Sequence, residues 1–222
     1  MFDRKLNQER LVVGIGGQSG AGKTTIVSEL RRFGSKVIDA DTIGQSLLKK
    51  DAPEYRKLVK AFGAGIVSRG GQIDRRLLAE KAFASQTALR KLNAITHPAI
   101  MARICAELAR TRKGLVIVDA ALLFTVGLDK DMDVAILVTA PERLKVKRLV
   151  SAGLSREEAA RRLKMQEPDA KVWRRADFVL ENKGSLAELK RKARALWNFF
   201  YSARFQNILP ENGHCRKTAG RK

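Results

Sequence analysis

The sequence predicts an α/β protein of three layers, with helices on both faces of a five-stranded parallel sheet and a helical insert within it. Three observations predict this. Five short apolar runs are continuous rather than alternating, the pattern of strands buried on both faces. Helical patterns lie between them, as parallel pairing requires of its crossovers. One interval, about seventy residues between the second and third runs, is too long for a simple crossover and reads largely as helix.

Taken in order, Leu11–Ile15 is the first strand and runs into glycines. A helix follows over Thr24–Phe33, with Ile26, Val27, Leu30 and Phe33 on one face and Gly34 as its C-terminal stop. Lys36–Asp39, Leu115–Asp119, Val134–Val138 and Phe178–Leu180 are the second to fifth strands. The insert carries helical patterns over Ala52–Phe62, Arg75–Phe83, Ala88–Ile95 and Pro98–Arg112. The last two are expected to be separate helices, because His97-Pro98 reads as a start with Pro98 at the first helical position. Ser155 and Glu158 form a capping box for a further helix, and a last amphipathic helix covers Leu186–Phe205. The expected boundaries are one domain over 11–205, with a core of 11–41 and 115–205 and an insert over 42–114. A basic tail, 206–222, is expected to be disordered.

Composition narrows the function. With 45% hydrophobic residues in 222, the chain can bury a core and is not intrinsically disordered. No apolar run nears the roughly 20 residues of a membrane span, and Met1–Arg10 is too polar for a secretory signal, so a cytoplasmic protein is expected. Cys105, Cys215, His97 and His214 are too few and too scattered for a disulfide scaffold or a structural zinc module. The net charge of +21, from 44 Lys and Arg against 23 Asp and Glu, attracts polyanions without choosing among them. Trp173 and Trp197 read as packing residues in a chain with 6% aromatics.

Gly17-Gln18-Ser19-Gly20-Ala21-Gly22-Lys23-Thr24 fits G-x-x-x-x-G-K-[ST] between a strand and a helix. Such a loop curls its backbone N–H groups around phosphate oxygens at a positive helix N-terminus. Gly17, Gly20, Ala21, Gly22, Lys23, Thr24 and Thr25 are therefore the candidate nucleotide-binding residues, with Lys23 reaching the β- and γ-phosphates and Thr24 ligating Mg²⁺. Asp39 and Asp41 end the second strand two residues apart and can point the same way. Either could accept a hydroxyl proton or help hold Mg²⁺, or Asp41 could merely cap the following helix. Asp119 ends the third strand as a Walker B carboxylate would, contacting Mg²⁺ directly or through water.

These residues resemble the dephospho-coenzyme A kinase family over roughly 11–200. The resemblance rests on the P-loop, Val37-Ile38-Asp39-Ala40-Asp41, Leu92–Ile100, Asp119–Phe124, Leu154–Glu158, Gln166, Arg175–Val179 and Asn182. It implies a P-loop NTPase fold with a helical acceptor-binding domain and a mobile lid over about 143–165. It also implies transfer of the ATP γ-phosphate to the ribose 3′-hydroxyl of dephospho-coenzyme A, with ATP and Mg²⁺, by a cytoplasmic monomer needing no nucleic acid and no membrane. Asp41 matches the family's base, and Asp39, Asp41 and His97 are candidate acceptor contacts, although His97 also reads as a simple helix start.

The sequence departs from the family at Gln18, where glycine is usual, and at Ala121 and Thr125, where Pro and Glu are usual. Ser151-Ala152-Gly153 is one residue short and lacks the lid arginine. Arg148 first, and Arg156 second, are the expected replacements, with Arg162 also flanking the lid turns. The competing readings are another small-molecule P-loop kinase, or a non-catalytic nucleic-acid-binding relative that exploits the positive charge.

Overall fold

The computed structural model describes residues 10–111 and 113–205, with side chains up to residue 202. Cys215, His214 and the expected tail lie outside these residues. In chain order the elements are β1 (Arg10–Gly16), α1 (Lys23–Arg32), β2 (Lys36–Asp39), α2 (Ala40–Ser46), α3 (Pro53–Phe62), α4 (Arg75–Phe83) and α5 (Gln86–Ala109). There follow β3 (Gly114–Asp119), β4 (Val134–Thr139), α6 (Glu142–Ser151), α7 (Arg156–Lys164), α8 (Asp169–Val172), β5 (Phe178–Glu181) and α9 (Leu186–Phe205). The chain divides into two compact units, one of residues 39–110 and one of the residues on either side.

The larger unit holds a five-stranded sheet of order β2-β3-β1-β4-β5. β1 pairs in parallel with β3, Ile15 opposite Asp119, and with β4, Val13 opposite Val134. β4 continues the parallel ladder to β5, Ile136 opposite Phe178. Continuous apolar runs make β1 and β4 suitable for the centre, and both are buried along almost their whole length. On one face Val13, Ile15, Ile136 and Val138 pack with Ile26 and Leu30 of α1 and with Leu189, Ala193 and Phe200 of α9. Each of these side chains other than that of Ala193 contributes about 1.5–3 kcal/mol by leaving water. The glycines of β1 serve the other face, where a Cβ on Gly16 would stand 2.9 Å from Leu123 and Phe124. Trp197 packs against the core, as expected, but Trp173 is 42% exposed and does not.

The smaller unit is helical. Leu58, Ile66, Ile73 and Leu78 form its core, with Leu92 and Ile95 of α5 packed on them. The two helices expected on either side of Pro98 are one, α5, with Pro98 in its interior. Proline removes one i→i−4 bond, but its ring is exposed, and the buried row Ile100, Ile104 and Leu108 continues beyond it. Packing along both halves of the helix outweighs the lost bond. In the larger unit α7 begins with the expected capping box: Glu158 N–H donates to Ser155 Oγ (3.1 Å) and Ser155 N–H to Glu158 Oε2 (2.8 Å). Leu149 of α6 packs on Ala159 and Leu163 of α7, which joins those two helices.

Candidate active site

The turn between β1 and α1 is shaped by glycine where no other residue fits. Gly22, the N-cap of α1, has φ 107°, and a Cβ there would stand 2.3 Å from Asn182 Nδ2. The carbonyls of the turn are held by side chains from distant elements. Asn182, only 4% exposed, donates to the Ala21 carbonyl (2.8 Å). Arg148 of α6 donates through Nη1 to Gly20 O (3.0 Å) and Ala21 O (3.4 Å), and through Nη2 to Asn182 O (3.2 Å). Arg148, expected to replace a lid arginine, thus has its fork turned to protein carbonyls, where it braces the loop. Arg156, the other candidate, opens α7 and is exposed. Arg162 of α7 instead reaches the loop, its Nε donating to Ser19 Oγ (3.0 Å).

Lys23 opens α1 and meets Asp119 at the end of β3; the two form an ion pair with side chains 14% and 18% exposed. The Thr24 residue beside it is exposed, and Thr25 is half-buried. Thr24 hydroxyl and Asp119 carboxylate are oxygen donors of the kind Mg²⁺ takes, so the donor chemistry fits that ion. Beside the loop lies a small cleft whose lining includes Gly17, Gln18, Ala121, Thr125, Gln166 and Asp169. Arg175 stacks over Phe124, which also lines this cleft, and bonds to Asp129; burial pushes the Asp129 carboxyl above the ordinary range, although the Arg175 guanidinium acts the other way.

Asp39, Asp41 and His97 belong to the helical unit. Asp39 caps α2, accepting from Thr42 N (2.8 Å) and Thr42 Oγ1 (2.7 Å). The cap, one of the alternatives left open for Asp41, is made by Asp39, because the helix begins at Ala40, and Asp41 stands half-buried in the first turn. His97 is half-buried in the middle of α5 rather than before its start.

Reasoning from sequence missed the groups that hold the loop. Gln166 and Asn182 stand in motifs noted above, but nothing local shows that Gln166 Oε1 accepts from Ser19 N–H (2.8 Å). Lys145 reads as one more cation on a basic helix, yet it is 4% exposed and bonded to Gln18 and Asp169.

A parallel sheet of order β2-β3-β1-β4-β5, with a phosphate-binding turn after its central strand and a lysine–carboxylate pair across to the next, defines a P-loop phosphotransferase. Comparison with known proteins narrows this. The chain belongs to the dephospho-CoA kinase family, whose profile matches residues 11–188. It is 35% identical to the dephospho-CoA kinase of Geobacillus kaustophilus, over 84% of this chain and 94% of that one. To that of Corynebacterium glutamicum it is 38% identical, over 81% and 94%. Among solved structures, TT1252 from Thermus thermophilus superposes with a TM-score of 0.71 at 33% identity, covering 86% of this chain and 98% of that one. The chain is thus a kinase.

Proposed function

We propose that this chain transfers the γ-phosphoryl group of ATP to the ribose 3′-hydroxyl of dephospho-CoA, the last step of coenzyme A biosynthesis, as a cytoplasmic enzyme. The observation that carries this reading is the pairing of the P-loop Lys23 with the strand-end Asp119 in a chain of this family. Residues 42–114 bind the acceptor, and 143–165 form a lid. Asp41 accepts the 3′-hydroxyl proton as the oxygen attacks the γ-phosphorus; that bond forms while the bond to the β,γ-bridging oxygen breaks, and ADP leaves. Asp39 orders the turn that presents Asp41, and His97 contacts the acceptor. Lys23 follows the charge that develops on the transferring group, and Thr24 and Asp119 would hold Mg²⁺, which supplies charge neutralisation shared with phosphate oxygens. Arg162, which reaches Ser19, supplies the lid guanidinium in place of Arg148.

A coupled ADP-release assay with Mg-ATP tests this. Dephospho-CoA is the expected acceptor, with phosphopantetheine, adenosine and cytidine monophosphate inert. Turnover with any of these three at a rate matching dephospho-CoA would overturn the assignment.

A further inference from the structure

Lys145 is the buried cation of α6, while Arg143 and Lys147 on the same helix are exposed. A buried ammonium is unfavourable unless it is paired and hydrogen-bonded. Lys145 Nζ donates to Asp169 Oδ2 and to Gln18 Oε1, both at 2.5 Å, and Thr139 Oγ1 donates to the same Asp169 oxygen. Backbone presses there too, since a Cβ on Gly20, at φ 76°, would stand 2.6 Å from the Lys145 carbonyl.

The chemistry of these donors fixes a direction. An ammonium has only protons to give, so the amide of Gln18 must turn its oxygen to Lys145. Gln18 Nε2 is then left facing the other way, where it donates to Glu167 O (3.2 Å) and Leu163 O (3.4 Å) at the end of α7. The residue after Gln18 is Ser19, whose N–H belongs to the phosphate-binding turn. One buried charge thereby sets the orientation of an amide that joins three chain segments: the turn, α6 and the exit from α7.

We propose that Lys145 is a positioning residue for nucleotide binding: acting through Gln18, it fixes the first limb of the phosphate-binding turn against the end of α7, while Asp169 keeps its charge paired. The inference rests on the kinase reading above, but it is tested on nucleotide affinity alone, without the acceptor. The variants are Lys145→Met with Asp169→Leu, which leaves no unpaired buried charge, Gln18→Leu, which leaves the ion pair intact, and all three together. Each is first confirmed as folded by its thermal melt, and Mg-ATP binding is then measured by calorimetry well below that melt.

The pair deletion and Gln18→Leu are each expected to weaken Mg-ATP binding by fivefold or more. The triple variant is expected to be within twofold of Gln18→Leu, because Lys145 has no route to the loop once the amide is gone. In steady state the KM for ATP rises while that for dephospho-CoA stays within twofold, a split that a general loss of stability does not produce. Losses below fivefold in Gln18→Leu, or losses in the triple variant that multiply, would overturn the proposal. Should the pair deletion not fold, Gln18→Leu decides alone on the fivefold criterion. If wild type binds Mg-ATP as described but does not phosphorylate dephospho-CoA, the substrate assignment fails and this inference stands.

Discussion

Lys23 and Asp41 separate two kinds of residue-scale effect. The Lys23 ammonium stabilises the transferring group more than the bound ground state, so Lys23→Ala is expected to lower kcat by roughly 10²-fold or more in a folded protein. A variant with near-normal turnover and an unchanged melt would refute the P-loop role. Asp41→Asn is expected to cost about 10²–10⁴ in kcat with ATP affinity kept. Asp39 accepts both Thr42 bonds as the cap of α2. Asp39→Ala is expected to cost about 1 kcal/mol of stability. Melts and kinetics measured on both variants check the division, which fails if Asp41→Asn lowers the melt and leaves the rate. From sequence, Asp41 could be read either as a base or as the cap of a helix beginning near Thr42. The cap was settled by where the helical backbone begins, at Ala40.

At the scale of elements, α5 and α7 make separate claims. Pro98 forgoes the i→i−4 bond to Ala94 inside a 24-residue helix. Pro98→Ala is therefore expected to stabilise the helical unit by about 1–3 kcal/mol, read as a raised denaturant midpoint. An unchanged or lowered midpoint would contradict this. The start of α7 carries a pH dependence. Glu158 accepts the Ser155 N–H, which holds its carboxyl below the ordinary glutamate value of 4.5. A lowered value in the folded state means that the contribution is complete above pH 4.5 and fades as pH falls through the folded value. The Tm difference between wild type and Glu158→Gln should accordingly be constant near neutrality and shrink in acid; a gap that widens in acid would contradict it. The capping box was legible because its partners are three residues apart. The continuity of α5 was not, because it depends on what Ile100, Ile104 and Leu108 meet in the folded unit.

Over the whole molecule, the charge of +21 is a property of every conformation, but it is most concentrated when the chain is compact. Screening should relieve that self-repulsion. Raising sodium chloride from about 20 to about 200 mM is expected to raise Tm, over a range in which the Debye length falls from roughly 20 Å to below 10 Å. Scanning fluorimetry checks this, and a Tm that falls with salt would mean that attractive pairs dominate the field. Pairs such as Lys192–Glu188 and Lys183–Glu181 are local and largely exposed, and such pairs are individually weak.

Sequence by itself determined the strands and the phosphate-binding turn, because each is written in neighbouring residues whose periodicity or spacing has a direct physical cause, and its motifs carried the resemblance to the family. Tertiary structure alone decided which cations serve the turn. Arg148, expected in the lid, braces the Gly20 and Ala21 carbonyls across more than 120 residues of sequence. Lys145 bonds to Gln18 from 127 residues away, and Gln18 to Glu167 from 149. A long cationic side chain looks the same in sequence whether it ends in water or in the interior. Only the folded surroundings fix the desolvation it suffers and the acceptors that offset it, and these set its role.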